Sequence, residues 1–212
     1  MHDAVKDNTE KRAKRVIAAL KANNMEGWYL PDAAGVREFV EKLIPEGAVV
    51  SSGGSMTLAE TGVIDLLGSG RYQYLDRSKA TTGEEIGRLY RQVFSADWYL
   101  ASANAITEAG EIYNVDGNSN RVAAITFGPA NVLLVVGCNK IVKDLAAAKD
   151  RVEAIAAPAN TVRLSCATPC AATGKCEHCH SPARICCTTT IHSFQRIPGR
   201  IKVLLVGEPL GF

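Results

Sequence analysis

The sequence predicts an α/β fold: a three-layer α/β/α sandwich with a mainly parallel sheet and a cysteine-rich loop before the last strand. Short strand-like runs alternate with amphipathic helical stretches through the 212 residues. Two of the runs, 132–136 and 203–206, are apolar at every position, as strands covered on both faces require. A chain of this length builds a sizeable core as one domain, 1–212, and no internal repeat or low-complexity linker divides it.

The elements follow in order. Residues 9–22 form a helix with Ala13, Val16, Ile17 and Leu20 at i, i+3, i+4 and i+7. Trp28-Tyr29-Leu30 is a strand. Asp32 is placed to cap a second helix that turns Val36, Phe39, Val40 and Leu43 inward. A strand over 48–51 runs into small residues, with a helix opening near Thr57, and a third strand covers 72–75. Thr82 and Glu85 form a capping box. The helix it opens carries Ile86, Leu89, Tyr90, Val93 and Phe94, a stripe read as core. Residues 97–102 return to the sheet. Residues 103–121, rich in Asn, Gly and acids, predict a β-hairpin and a polar loop. The runs 122–127 and 132–136 are read as β on either side of Gly128-Pro129. A helix is expected from Ile141 to about Ala156, and a buried strand over 201–206 ends at Gly207.

A net charge of +2 argues against a dedicated nucleic-acid binder, which shows a strongly basic face. The polar N-terminus does not read as a secretory signal. No apolar run approaches the roughly 20 residues of a membrane helix, so no membrane span is expected. The expected location is the cytoplasm, where thiols stay reduced.

Chemistry concentrates near the end of the chain. Six of the seven cysteines fall between Cys166 and Cys187, spaced Cys-x3-Cys-x5-Cys-x2-Cys-x6-Cys-Cys, with His178 and His180 among them. Structural cysteines pack as small hydrophobes and have no need to crowd. The Cys176–Cys179 pair brings two thiols from one turn toward one metal or cluster. Four thiolates suit an iron–sulfur cluster, four Cys or His ligands suit zinc, and disulfides need an oxidising compartment. Spacing alone separates the first two poorly.

Two junctions are read as anion-ready. Gly53, Gly54, Ser55 and Thr57 lie where a strand feeds a helix through small residues, which exposes backbone N–H groups. The second lies at Gly137-Cys138-Asn139-Lys140, where Lys140 can meet an anion. Asp116, Asn118, Asn120 and Arg121 either converge on a polar ligand or serve as turn residues. Glu108, beside a turn glycine, is an acid, base or nucleophile if buried, and a solvated turn residue otherwise.

Several segments together resemble the LUD-domain, or lactate-utilisation, family. They are Gly53-Gly54-Ser55-Met56-Thr57 with Glu60 and Gly62, Asp97-Trp98-Tyr99 with Asn104 and Glu108, Asp116 through Arg121, Gly137 through Lys140, and the closing Gly207-Glu208-Pro209-Leu210-Gly211-Phe212. The resemblance implies an α/β/α domain related to the CoA-transferase and ribose-phosphate-isomerase superfold. It implies a role in bacterial L-lactate oxidation to pyruvate, within a complex containing iron–sulfur partner proteins. Matching positions make Gly53, Gly54, Ser55 and Thr57 one wall of a ligand cleft. Glu108, the catalytic candidate, would line the rest with Asn114, Asp116, Asn120, Arg121, Asn139 and Lys140. Joined to the thiol-rich loop, the resemblance suggests a 4Fe–4S cluster on Cys170, Cys176, Cys179 and Cys186, with Cys166 and Cys187 as spares. The alternatives are a CoA-transferase-like enzyme or binder of a small carboxylate or phosphate-bearing ligand, and a zinc-stapled regulatory or assembly subunit. A homo-oligomer is compatible with each.

Overall fold

The computed structural model describes residues 2–212. Along the chain run α1 (Asp3–Ala22), β1 (Glu26–Leu30), α2 (Val36–Leu43), β2 (Val49–Ser52), α3 (Met56–Glu60), α4 (Val63–Leu67), β3 (Gln73–Leu75), α5 (Gly83–Gln92), β4 (Trp98–Ala101), β5 (Ala105–Thr107), β6 (Ile112–Asp116), α6 (Asn120–Phe127), β7 (Asn131–Gly137), β8 (Ile141–Val142), α7 (Leu145–Arg151), α8 (Ala157–Arg163), α9 (Pro169–Thr173), β9 (Thr188–His192) and β10 (Ile201–Val206). The central sheet has the order β1-β10-β7-β4-β2-β3 and every pairing in it is parallel. The wholly apolar β7 and β10 sit side by side inside it, buried on both faces. On one face they pack with α1 and α6 through Val16, Leu20, Ala124 and Ile125. On the other they pack with α2, α3 and α4 through Val40, Leu58 and Leu66. These are the three layers that the alternating sequence predicts.

A second sheet, β8-β5-β6-β9, stands at the carboxyl end of the first. Its β5–β6 hairpin is the one expected from 103–121. β9, which no periodicity in the cysteine-rich stretch announces, adds antiparallel to β6 and so ties that stretch to the domain.

Four expectations are corrected. The run 122–127 is helical. Its apolar residues suit a strand, but Asp116 organises the turn before it, accepting from the N–H groups of Asn118 and Ser119 on one oxygen and of Val122 on the other. That sets up α6, which buries Val122, Ala124 and Ile125. Asp32 does not cap α2. It accepts from the Ala34 N–H in a turn, and Gly35 stands at the helix start. The stripe on α5 is only half-buried: the capping box forms, but none of the residues of α5 is fully covered, and Phe94 just beyond is 38% exposed. Finally, 141–156 is not one helix. Ile141-Val142 pairs with β5, and Asp144 caps α7. A π-helical turn over Val152–Ala156 then carries the helix past Pro158 into α8, so the proline does not end it.

Arg200 fixes the far end of α6. Buried, it donates to the carbonyls of Ala124, Ile125 and Pro129 at 3.2, 2.6 and 3.0 Å, at the last turn of α6 and just beyond it, where the Ala124 carbonyl also accepts from the Gly128 N–H. Replacing it with Met keeps the stem and takes the donor from the Ile125 and Pro129 oxygens. We expect Arg200→Met to lower unfolding free energy by roughly 2–3 kcal/mol in urea titration, with Arg200→Lys between it and the parent chain.

Candidate functional site

The carboxyl ends of β2, β4 and β7 open onto one cleft, the position where parallel α/β sheets bind ligands. After β2, Gly54 and Ser55 form its floor. After β4 comes Ser102, and beyond β7 Lys140 enters from a 3-10 turn. Ser55 closes α3 by accepting from the Leu58 N–H. The cavity measures about 90 Å³ and also takes lining from Asn104, Arg121, Asn160 and Arg163.

Lys140 is 3% exposed. Its ammonium donates to Thr57 Oγ1 at 2.9 Å and Ser102 Oγ at 3.1 Å, and no carboxylate forms an ion pair with it among the described residues. Burial first, then the charges of Arg151 and Arg121, pull its pKa down from 10.5 to about 7. At neutral pH the amine is therefore poised between donor and base.

Arg121 is the hub of the opposite wall. It donates to Asn114 Oδ1 at 2.8 Å, Asn104 Oδ1 at 3.0 Å, the Val115 carbonyl at 2.7 Å and the Ser102 carbonyl at 3.1 Å, and its Nε faces Asp116 at 3.4 Å. Asn114 is fully buried and its Nδ2 has no partner. Asp116 and Asn120 line an outer chamber of about 260 Å³ that shares Gly54, Val115, Arg121, Asn160 and Arg163 with the cleft.

The structure does not bring every candidate there. Glu108 lies at the β5–β6 turn and pairs with Arg12 of α1 at 2.6 Å, away from the cleft. Asn139 turns from the cleft to hold the closing segment, accepting from the Leu210 N–H and donating to the Gly211 carbonyl. Gly53 does not line the cleft; a Cβ there would stand 3.0 Å from the Tyr99 hydroxyl and 3.2 Å from the Arg121 side chain. Conversely, Ser102, Asn160, Arg163 and Arg77 line the two chambers with no motif to mark them. The signal available was their position: Ser102 ends the strand expected over 97–102, and Arg163 lies on the helical continuation beyond the expected end near Ala156.

The cysteine-rich stretch forms a separate cavity of about 210 Å³. Cys170, Cys176, Cys179 and Cys186 all line it; Cys138, Cys166 and Cys187 do not. All seven thiols are unpaired. Burial pushes the Cys170 thiol up, but hydrogen bonds outweigh it and leave its pKa below the ordinary value. Thr168 is the effective donor at 3.4 Å, because the Thr161 hydroxyl makes its shorter bond, 2.8 Å, to the Pro158 carbonyl. Arg184 braces the loop by donating to the carbonyls of Cys179 and Cys186, with the Cys186 sulfur at 3.6 Å. Among the described residues, no three Cys, His, Asp or Glu side chains converge closely enough to hold a single metal ion. The four thiols that line the chamber are the donor type that an iron–sulfur cluster takes.

The pH dependence of stability isolates Lys140. Between pH 7 and 10.5 the unfolded chain holds the lysine proton and the folded one releases it, so stability rises with pH across that window. Lys140→Met is expected to flatten that rise, read as unfolding free energy against pH for the two proteins.

No helix among the described residues is long and apolar enough to cross a membrane. The same fold occurs in a DUF162 family protein from Deinococcus radiodurans, at a TM-score of 0.56 and 15% identity over 93% of this chain and 98% of that one. Lesser, partial similarities reach ribose 5-phosphate isomerase A from Neisseria gonorrhoeae (TM-score 0.34, 15% identity, 53% of this chain and 54% of that) and a Pseudomonas malonate decarboxylase hetero-tetramer (0.33, 16%, 66% and 33%). Among curated proteins none matches. The LUD domain family matches residues 13–206, nearly the whole chain: this protein belongs to the LUD domain family.

Proposed function

We propose that the protein is a redox component of 2-hydroxy-acid oxidation, lactate included, that binds the acid's carboxylate in the Lys140 cleft and carries a 4Fe–4S cluster on Cys170, Cys176, Cys179 and Cys186. One observation carries this reading. Of seven cysteines, those four line a single chamber, and Val115 of β6 lines both that chamber and the Lys140 cleft. A substrate site and a thiol-rich site thus share a wall one side chain thick. When bound, a cluster of this kind supplies one-electron transfer.

The chain's own residues do the rest. Arg121, fixed by four hydrogen bonds, presents a rigid cation to the carboxylate. Lys140, near neutrality at physiological pH, takes the hydroxyl proton, and a hydride acceptor on a partner protein takes the Cα hydrogen with its electron pair as the hydroxy acid becomes an oxo acid. Two electrons leave per substrate, so iron–sulfur partner proteins accept them onward, and the thiol ligands require a reducing, cytoplasmic setting.

A second reading rests on Cys176, whose sulfur lies 3.9 Å from His178 Nδ1, a mixed sulfur and nitrogen donor pair of the kind zinc takes. Analysis of protein purified without oxygen separates the two. We expect iron and acid-labile sulfide in near-equal amounts with a brown colour, and loss of both when Cys176 and Cys179 become Ser. Stoichiometric zinc without iron, or a full cluster surviving in the double variant, overturns the assignment.

A further inference from the structure

The charge around the cleft exceeds what a simple hydroxy acid needs. Arg77, Arg121, Arg163 and Arg184 all line the outer chamber, and Lys140 lies in the adjoining cleft. Across the lining of both chambers the only acidic side chain is Asp116. It is already engaged by three backbone N–H groups and Arg121. Arg77, Arg163 and Arg184 make no ion pair among the described residues. Arg163 bonds only the neutral Asn160 of its own helix, and Arg184 only carbonyls and a sulfur of the cysteine loop. With Arg121 set against Asp116 and lactate's carboxylate at Lys140, the guanidiniums of Arg77, Arg163 and Arg184 would stay unanswered.

The Arg77 guanidinium lies against Gly54, 2.6 Å from where a Cβ there would stand, and Gly54 lines both chambers. Arg163 reaches both chambers because the π turn carries the helix past Pro158. Guanidinium forks match phosphoryl oxygens pairwise, and a concave surface of one sign focuses its field on an entering anion.

We propose that the natural ligand is a phosphorylated organic acid, its carboxylate at Lys140 and Arg121 and its phosphoryl group in the outer chamber among Arg77, Arg163 and Arg184. The inference rests on the reading of the cleft as a carboxylate site and deepens it by naming the ligand's second charge. The two chambers join through Gly54, Val115, Arg121, Asn160 and Arg163, so one small molecule spans them.

Calorimetry on the full chain with three probes tests it: 3-phosphoglycerate, glycerate and inorganic phosphate. We expect phosphoglycerate to bind at least about tenfold more tightly than either other probe, a difference of about 1.4 kcal/mol. Arg77→Ala with Arg163→Ala should remove that advantage. Both arginines are exposed, so the variant keeps its fold. Lys140→Met should weaken phosphoglycerate and glycerate and leave inorganic phosphate unchanged. Equal affinity for phosphoglycerate and glycerate overturns the inference and leaves the carboxylate site standing. Inorganic phosphate binding as tightly as phosphoglycerate, with no binding of glycerate, overturns both.

Discussion

The Arg121 guanidinium is the constraint on which the rest of the site depends. Its four hydrogen bonds reach Ser102 at the end of β4, Asn104 before β5, and Asn114 and Val115 on β6, so one side chain ties the central sheet to the second sheet. It is seated at the start of α6, whose turn Asp116 organises. A guanidinium this enclosed would be costly if its donors were unmet; the two asparagines and two carbonyls meet four of them, and Asp116, 3.4 Å from Nε, sets a carboxylate against the charge. The result is a fixed hub that sets the shape of the cleft wall. Lysine could not replace it, having neither the fork nor the reach to hold three segments together.

The partition between the two chambers follows from this clamp. With β6 held, Val115 stands between the Lys140 cleft and the thiol cavity. The helix packed behind it serves both sides: Val152 and Glu153 of the π turn line the thiol cavity, while Ala156 at its end lines the cleft. An ordinary α-helical turn would present these residues at other angles, and π turns recur at functional sites for that reason. β9, which begins directly after Cys187, anchors the end of the cysteine-rich stretch to β6.

Much of the scaffold was legible in the chain. The strand over 201–206 is observed with those bounds, and the Thr82–Glu85 capping box forms as read. Both signals are local, and local signals survive folding. The spacing of the cysteines was equally local, and the four chosen for cluster ligation line one chamber. What was not legible rests on contacts that composition does not carry. Residues 122–127 have strand-like composition, yet an aspartate six residues before Val122 organises the turn that makes them helical. Glu108, read as either a reactive group or a turn residue, stands at the β5–β6 turn beside Arg12 of α1. Arg77 and Arg163, far apart in sequence, meet across the outer chamber only through the tertiary fold. No single-sequence period encodes a charge cluster assembled from separate elements.

That cluster also explains a cost the fold accepts. Several positive groups face shared chambers with one aspartate among them, and their mutual repulsion lowers stability wherever solvent does not screen it. Lys140 meets the same problem differently: buried between two hydroxyls and beside Arg121, it yields its proton near neutrality and so sheds the charge that the site cannot solvate. The arginines have no such escape, because a guanidinium keeps its proton. An anion entering the cleft would offset the repulsion among the arginines, while Lys140, already able to give up its proton near neutrality, stays available as a base.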